Sequence, residues 1–427
     1  MKVGHGRAPL QVADGTPLGG YADRKATSSG VLDDLGVDCV SWSGEGGRLL
    51  LVVAEVLCVN DDLAEAVTAR VRAAVTAVGA SARAVWVCAT HTHAAPEVGY
   101  LPGGGSTPPA VRDAIAAAAA AAAEQAVADE RRCSGRLHAG HLRDVGAPRG
   151  AAGGEPIGGV DALVCSGPDG RTLGVLVPLP VHPTVLPASS TLVSGDLAGA
   201  VRRALARRLP GAWVAVAHGA AGDVSTRRTR QGQTPAELAR LGELAAEQLA
   251  AMVVRGEAGD PLWDVDAGAI AAARTTVTVP ARRRDAQELE ALRARLAADR
   301  HEAAARGDEV AARVAETGLQ GLAVAEANAA RGVEHVQVLL SAARIGRLTL
   351  LGVGGEPFHA LRDDVRARRG AATALLACAN AHMGYVPDEA ALATPGYEAL
   401  ASPLRPGAPT EIVAALIDLP PDPERIP

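Results

Sequence analysis

Short apolar, β-branched runs recur along the chain, each ending in a glycine-rich or polar turn that often opens an Ala/Leu/Arg segment of helical period. The runs Leu49–Val53, Ala84–Thr90, Thr172–Val177, Trp213–Ala217, Leu348–Val353 and Thr373–Ala379 have the length and composition of buried strands. Asp62–Val78, Pro109–Ala128, Gly195–Leu209, Thr234–Val254 and Phe358–Arg369 predict helices. Strands alternating with helices predict an α/β fold: a mixed β-sheet core flanked by helices, with polar residues on the strand-end loops.

The stretch 283–332 breaks this pattern. It is charged, Ala-rich and helical in period, and it predicts a helical hairpin inserted into one domain spanning 1–427, as a solvated packing element. No internal repeat is visible. The tail Leu419–Pro427, rich in Pro and acids, reads as loosely ordered.

Composition narrows the picture. The chain has 427 residues and 48% hydrophobic content, enough for a large core, but one Phe and four Tyr, so that core must be Ala, Val and Leu. A net charge of −6 argues against a nucleic-acid partner, and the arginines at 227–230 and 282–284 read as solvated surface. Cys39, Cys58, Cys88, Cys133, Cys165 and Cys378 form no C-x-x-C pair and read as reduced core residues. The N-terminus shows no apolar signal segment, and the longest apolar run, Ala114–Ala123, is too short to span a bilayer. These features predict a soluble, cytoplasmic protein, with oligomeric state left open.

Chemistry concentrates where apolar runs end. Ligands of α/β sheets bind outside the carboxyl ends of strands, and five such ends are loaded. Thr90-His91-Thr92-His93 follows one run, and in extended chain His91 and His93 would face one side, as a metal pair or as two structural imidazoles. Val181-His182-Pro183-Thr184 follows another. His218-Gly219-Ala220-Ala221-Gly222-Asp223-Val224-Ser225 allows close backbone approach and offers a hydroxyl, or is a capped turn. Gly354-Gly355-Glu356-Pro357 places a carboxylate before a helix, where an acid also serves electrostatically. Asn380-Ala381-His382-Met383-Gly384-Tyr385 and Gly396-Tyr397-Glu398 carry two of the four tyrosines. Together these segments supply the donors of an N/O-ligated zinc site with an open position for water.

These residues resemble, in order, the motifs of the neutral/alkaline, non-lysosomal ceramidase family. Gly20-Tyr21 is similar to its early Gly-Tyr. Thr90–His93 with Pro96 resembles THTHSGP, His182-Pro183-Thr184 its HPT, and Val193-Ser194-Gly195-Asp196 the motif that follows. Gly219–Ser225 resembles GxxGDVS, Gly355-Glu356 its GE turn, Gly384-Tyr385-Val386 its GYV and Gly396-Tyr397-Glu398 its GYE. The resemblance implies Zn2+ held by His91, His182, Glu356 and Tyr385. It implies that His93 handles a proton at the scissile group, that Tyr397 hydrogen-bonds the developing oxyanion, and that Ser225 lies beside the substrate. The arginine of an Asn-Arg motif best matches Arg149, with Pro148 in place of the Asn.

Three departures bear on substrate. THTHSGP has become Thr90-His91-Thr92-His93-Ala94-Ala95-Pro96, GDVSPN has become Gly222–Arg227, and no segment after GYE answers the family's immunoglobulin-like domain. The expected reaction is therefore zinc-dependent hydrolysis of the amide bond of a small N-acyl compound. The alternatives are hydrolysis of ceramide, an N-acyl sphingoid lipid, and the reverse, amide-forming reaction. Because each histidine ligand must be neutral, activity is expected to fall below pH ~6.

Overall fold

The computed structural model describes residues 1–427 except 22–23, 102–103, 150–156, 256–259, 266–267, 395 and 420–427. Nearly all of the predicted Pro-rich tail therefore lies outside the described residues. Three four-stranded arrangements carry the fold. The first runs β1 (Lys2–Leu10), β2 (Leu35–Gly44), β3 (Gly47–Ala54), helix α1 (Asp61–Ala77) and β4 (Ala84–Ala89), with the short Arg131–Arg132 strand at its edge. Helix α2 (Pro109–Ala128) follows. The second runs β5 (Ser134–Leu142), β6 (Ile157–Ser166), β7 (Thr172–Leu179), α3 (Asp196–Arg208) and β8 (Trp213–His218), followed by α4 (Pro235–Arg255). The third runs β9 (Ile270–Pro280), the helices α5 (Ala286–Ala305) and α6 (Glu309–Arg331), β10 (His335–Ile345), β11 (Leu348–Val353), α7 (His359–Arg369) and β12 (Thr373–Leu376).

Each sheet has the same plan. Its four strands lie side by side in chain order; the first three pair antiparallel, and the last joins in parallel after a crossover helix. A parallel neighbour needs such a crossover, because a hairpin can only reverse the chain. The plan thus recurs three times, although the sequence carries no visible repeat.

The predicted strands before and after α1, α3 and α7 are all present, as are the five predicted helices, within a few residues. The antiparallel strands β1, β2, β5, β6, β9 and β10 were not expected. Runs such as Lys2-Val-Gly-His-Gly-Arg-Ala-Pro-Leu alternate with polar or glycine positions and lack the continuous apolar stretch of a strand buried on both faces. The three inner sheet faces meet in one core that includes Trp42, Leu51 and Trp86 of the first sheet, Leu163, Leu176 and Ala215 of the second, and Ala343, Leu350 and Leu376 of the third. Helices α1 and α2 cover the outer face of the first sheet, and α3 and α4 that of the second. On the third sheet the cover comes from α7 and α9 (Ala408–Asp418), after the short helix α8 (Tyr397–Ala401).

Helices α5 and α6 pair antiparallel through Arg293–Glu326 and Arg300–Glu316, and bury Leu289, Leu296 and Leu322 against Leu400 of α8. Among the described residues no helix is long and apolar enough to cross a membrane. All six cysteines are free and buried.

Candidate metal centre

The carboxyl ends of the parallel pairs converge on one buried cluster. His91 follows β4, His182 follows β7, Glu356 follows β11, and Tyr385 lies beyond β12. Glu356 and Tyr385 are partners in a short parallel pairing. The contact distances are short: 3.0 Å from His91 Nε2 to His182 Nε2, 3.2 Å from His91 Nε2 to Glu356 Oε2, and 3.1 Å from His182 Nε2 to Glu356 Oε2. The Tyr385 hydroxyl lies 3.5 Å from His182 Nε2. His91, His182 and Glu356 are at most 2% exposed.

Both imidazoles are held in one tautomer. His91 Nδ1 lies 2.7 Å from the carbonyl oxygen of Leu57, and His182 Nδ1 lies 2.7 Å from that of Ala221. A carbonyl only accepts, so each Nδ1 carries the proton and each Nε2 presents a lone pair. Burial pushes His182 down to about 3, reinforced by the nearby Arg149 charge, so it stays neutral at ordinary pH. The third atom, Glu356 Oε2, is buried without a hydrogen-bond partner. Its companion Oε1 accepts from His382 Nε2 at 3.1 Å. Three acceptors therefore face one another with no donor between them, an arrangement that costs free energy unless a cation sits among them. The donor set is two imidazole nitrogens, a carboxylate and a phenol, which suits zinc. The buried triplet His91, His93 and His182 also has ligand atoms close enough to share an ion.

The two histidines of the H-x-H segment do not meet by strand alternation, as the extended reading expects. His91 has φ 67°, so the chain has left the strand and turned. The His91 and His93 rings still come within 5.1 Å of each other, edge to face. Asp196, Cys378 and Asn380 also have positive φ. Such costly backbone states cluster at sites that over-determine them.

Beside the cluster lies a cavity of about 470 Å³, lined by His93, Arg149, Ser225, Tyr385 and Tyr397 among others. Both His93 ring nitrogens are buried and unpartnered. Burial, then the neighbouring His91 and His182, holds its pKa well below the usual value, so the ring is neutral. Gly20 allows the ring its place: a Cβ there would lie 2.6 Å from His93 Cγ. Arg149 pairs with Glu398, and its charge acts on Tyr385. The Tyr397 ring meets Tyr385 edge-on at 5.8 Å. The fold thus brings all eight residues singled out in the sequence to one buried cluster and its adjoining cavity.

Two further histidines belong to the cluster. His382 orients Glu356, and His218 stacks on His91 with centroids 4.5 Å apart. Both stood in chemically loaded strand-end segments, and their placement next to other histidines in those segments was the signal available.

No protein-family model matches the chain, and no curated protein matches it by sequence. Solved structures do match, two of them over 98% of the chain. One is a ceramidase complexed with C2, at a TM-score of 0.71 and 16% identity, with 74% of that chain covered. The other is the neutral ceramidase from Pseudomonas aeruginosa, at 0.70 and 16%, with 73% covered. The chain has the fold of these enzymes, in a divergent sequence.

Proposed function

We propose that the chain is a zinc-dependent hydrolase that cleaves the amide bond of a small N-acyl compound. The observation that carries this reading is the meeting of His91 Nε2, His182 Nε2 and Glu356 Oε2 within 3.0–3.2 Å in a buried site. His91, His182, Glu356 and Tyr385 would hold the ion. When bound, zinc would lower the pKa of a water towards ~7 and polarise the substrate carbonyl.

The chain's own residues supply the rest. Neutral His93 accepts a proton from the attacking water and hands it to the departing amine nitrogen. Tyr397 donates a hydrogen bond to the oxygen that gains charge. Ser225 lies against the substrate, and the charge of Arg149, anchored by Glu398, acts on the Tyr385 phenol. His382 keeps Glu356 turned so that Oε2 faces the imidazoles.

A small substrate is favoured by the cavity itself. Its lining includes four arginines, and apart from glycine its aliphatic members are Pro187 and Ala188. The long chains of ceramide need an extended apolar groove, which this lining does not supply. The whole chain is read as one catalytic domain with 283–332 inserted in it, and six free cysteines favour a reducing, cytoplasmic setting.

The test is reconstitution. Chelator treatment is expected to abolish hydrolysis of short N-acyl amides, and added zinc to restore it. Full turnover by metal-free protein would refute the mechanism.

A further inference from the structure

Three arginines line the cavity without an ion-pair partner among the described residues. Arg227 follows Ser225 on a 3-10 turn, Arg230 lies three residues on, and Arg313 reaches in from α6. Arg230 Nη1 donates to the Thr184 carbonyl at 2.7 Å, which fixes the side chain and leaves its other donors open. Among the described residues, no carboxylate forms an ion pair with Arg227, Arg230 or Arg313. Arg149, in the same cavity, pairs with Glu398. Arg227 is pulled down to about 10 by burial, with Arg149, Arg313 and Arg230 adding repulsion and Glu398 opposing it. A chain of net charge −6 thus gathers three guanidinium groups without ion pairs at one cavity, Arg227 and Arg230 half-buried and Arg313 exposed, with the Glu398 and Asp196 carboxylates as more distant charged neighbours. Gathering like charges beside a low-dielectric wall is unfavourable until an anion enters. The guanidinium fork is shaped to hold oxyacid anions by paired hydrogen bonds.

We propose that the substrate amide carries an anionic oxyacid group, a carboxylate or a phosphate, held by Arg227 and Arg230 with Arg313 closing the cavity above it. This rests on the reading of the cavity as the site of amide hydrolysis, and it explains why arginines stand where a lipid enzyme needs an apolar lining.

Three probes with the same acyl chain separate the cases: N-hexanoylglycine, N-hexanoyl-O-phosphoethanolamine and neutral N-hexanoylethanolamine. The zinc-loaded enzyme is expected to show kcat/KM at least about tenfold higher for an anionic probe than for the neutral one, and the better anion identifies the group. Arg227→Gln, Arg230→Gln and Arg313→Gln should each lower that ratio, and the double variant Arg227→Gln/Arg230→Gln should erase it. A ratio cancels any loss of folded protein. Equal rates on all three probes, or a ratio that survives the double substitution, would overturn the proposal. If no probe is cleaved, the hydrolase reading fails separately. Calorimetric titration of N-hexanoylglycine then decides: binding to wild type that disappears in the double variant sustains the anion site, and equal binding or none overturns it.

Discussion

At the scale of single residues, the site is built by fixing which atoms cannot donate. The Leu57 and Ala221 carbonyls each take an Nδ1 proton, and this leaves two Nε2 lone pairs aimed inward. His93 has no such anchor, and both its nitrogens face the cavity region unpaired. The two kinds of histidine should therefore separate by experiment. His93→Gln is expected to lower kcat by roughly 10²–10⁴-fold while metal content stays at the wild-type level. Loss of metal along with activity would make His93 a ligand instead. Asp196 makes a second residue-level test. Its carboxylate accepts from the backbone nitrogens of Val185 and Leu186, both at 3.0 Å, and so holds the chain just after His182. In Asp196→Asn, one of those N–H groups must face an amide nitrogen that cannot accept. The variant should lose about 1–3 kcal/mol of stability, read as a lower denaturation midpoint, and a midpoint equal to wild type would count against this role. The segments holding His91, His182, Glu356 and Tyr385 stand out in the sequence because each is a short polar segment after an apolar run, while the choice of these four residues within them came from the family resemblance. The carbonyls that set the tautomers were not legible there, since any residue supplies a carbonyl and only the fold chooses Leu57 and Ala221.

At the scale of elements, strand ends and one helix pair place the chemistry. The parallel strands were readable because a strand covered on both faces is continuously apolar, as in Ala84-Val85-Trp86-Val87-Cys88-Ala89. The antiparallel strands contain Gly, Pro and charged residues, so their pairing becomes visible only in three dimensions. The 283–332 hairpin was readable as helices, but not its position beside the cavity, which depends on close packing of α6 on α8. Gly321 makes that packing possible: a Cβ there would lie 2.7 Å from the Tyr397 carbonyl oxygen and 3.0 Å from Tyr397 Cα. Both are backbone atoms of α8, so the helices must separate to admit a methyl group. Gly321→Ala is expected to destabilise the protein by about 1–3 kcal/mol and to lower kcat by displacing Tyr397. Thermal unfolding and steady-state kinetics check the two effects, and unchanged kcat would detach Tyr397 from the reaction. Asn380 ties two sheets together: its Oδ1 accepts from Val87 N at 2.8 Å, and its Nδ2 donates to Ser341 Oγ at 3.0 Å. Asn380→Ala would leave a buried N–H of β4 unpaired, at a cost of about 1–3 kcal/mol.

At the scale of the whole molecule, three copies of one strand plan meet around a shared core, and the loops of all three supply the site. The first copy gives Gly20, His91 and His93; the second gives Arg149, His182 and Ser225; the third gives Glu356, Tyr385, Tyr397 and the wall of α6. No single unit holds enough donors for a metal, so the centre exists only in the assembled fold. The cavity of about 470 Å³ is lined largely by polar groups. Short N-acyl amides should turn over without detergent, and lengthening the acyl chain to that of a membrane lipid should lower kcat/KM; a steady rise with chain length would favour a lipid substrate. All of this depends on a cation joining three acceptors that otherwise repel. The most direct measurement is elemental analysis of purified protein after exhaustive dialysis, for wild type and for His182→Ala. The account predicts about one zinc per wild-type chain, in line with a single centre of this donor type, and none above background in the variant. Equal metal in both proteins, or none in wild type even after incubation with zinc, would contradict it.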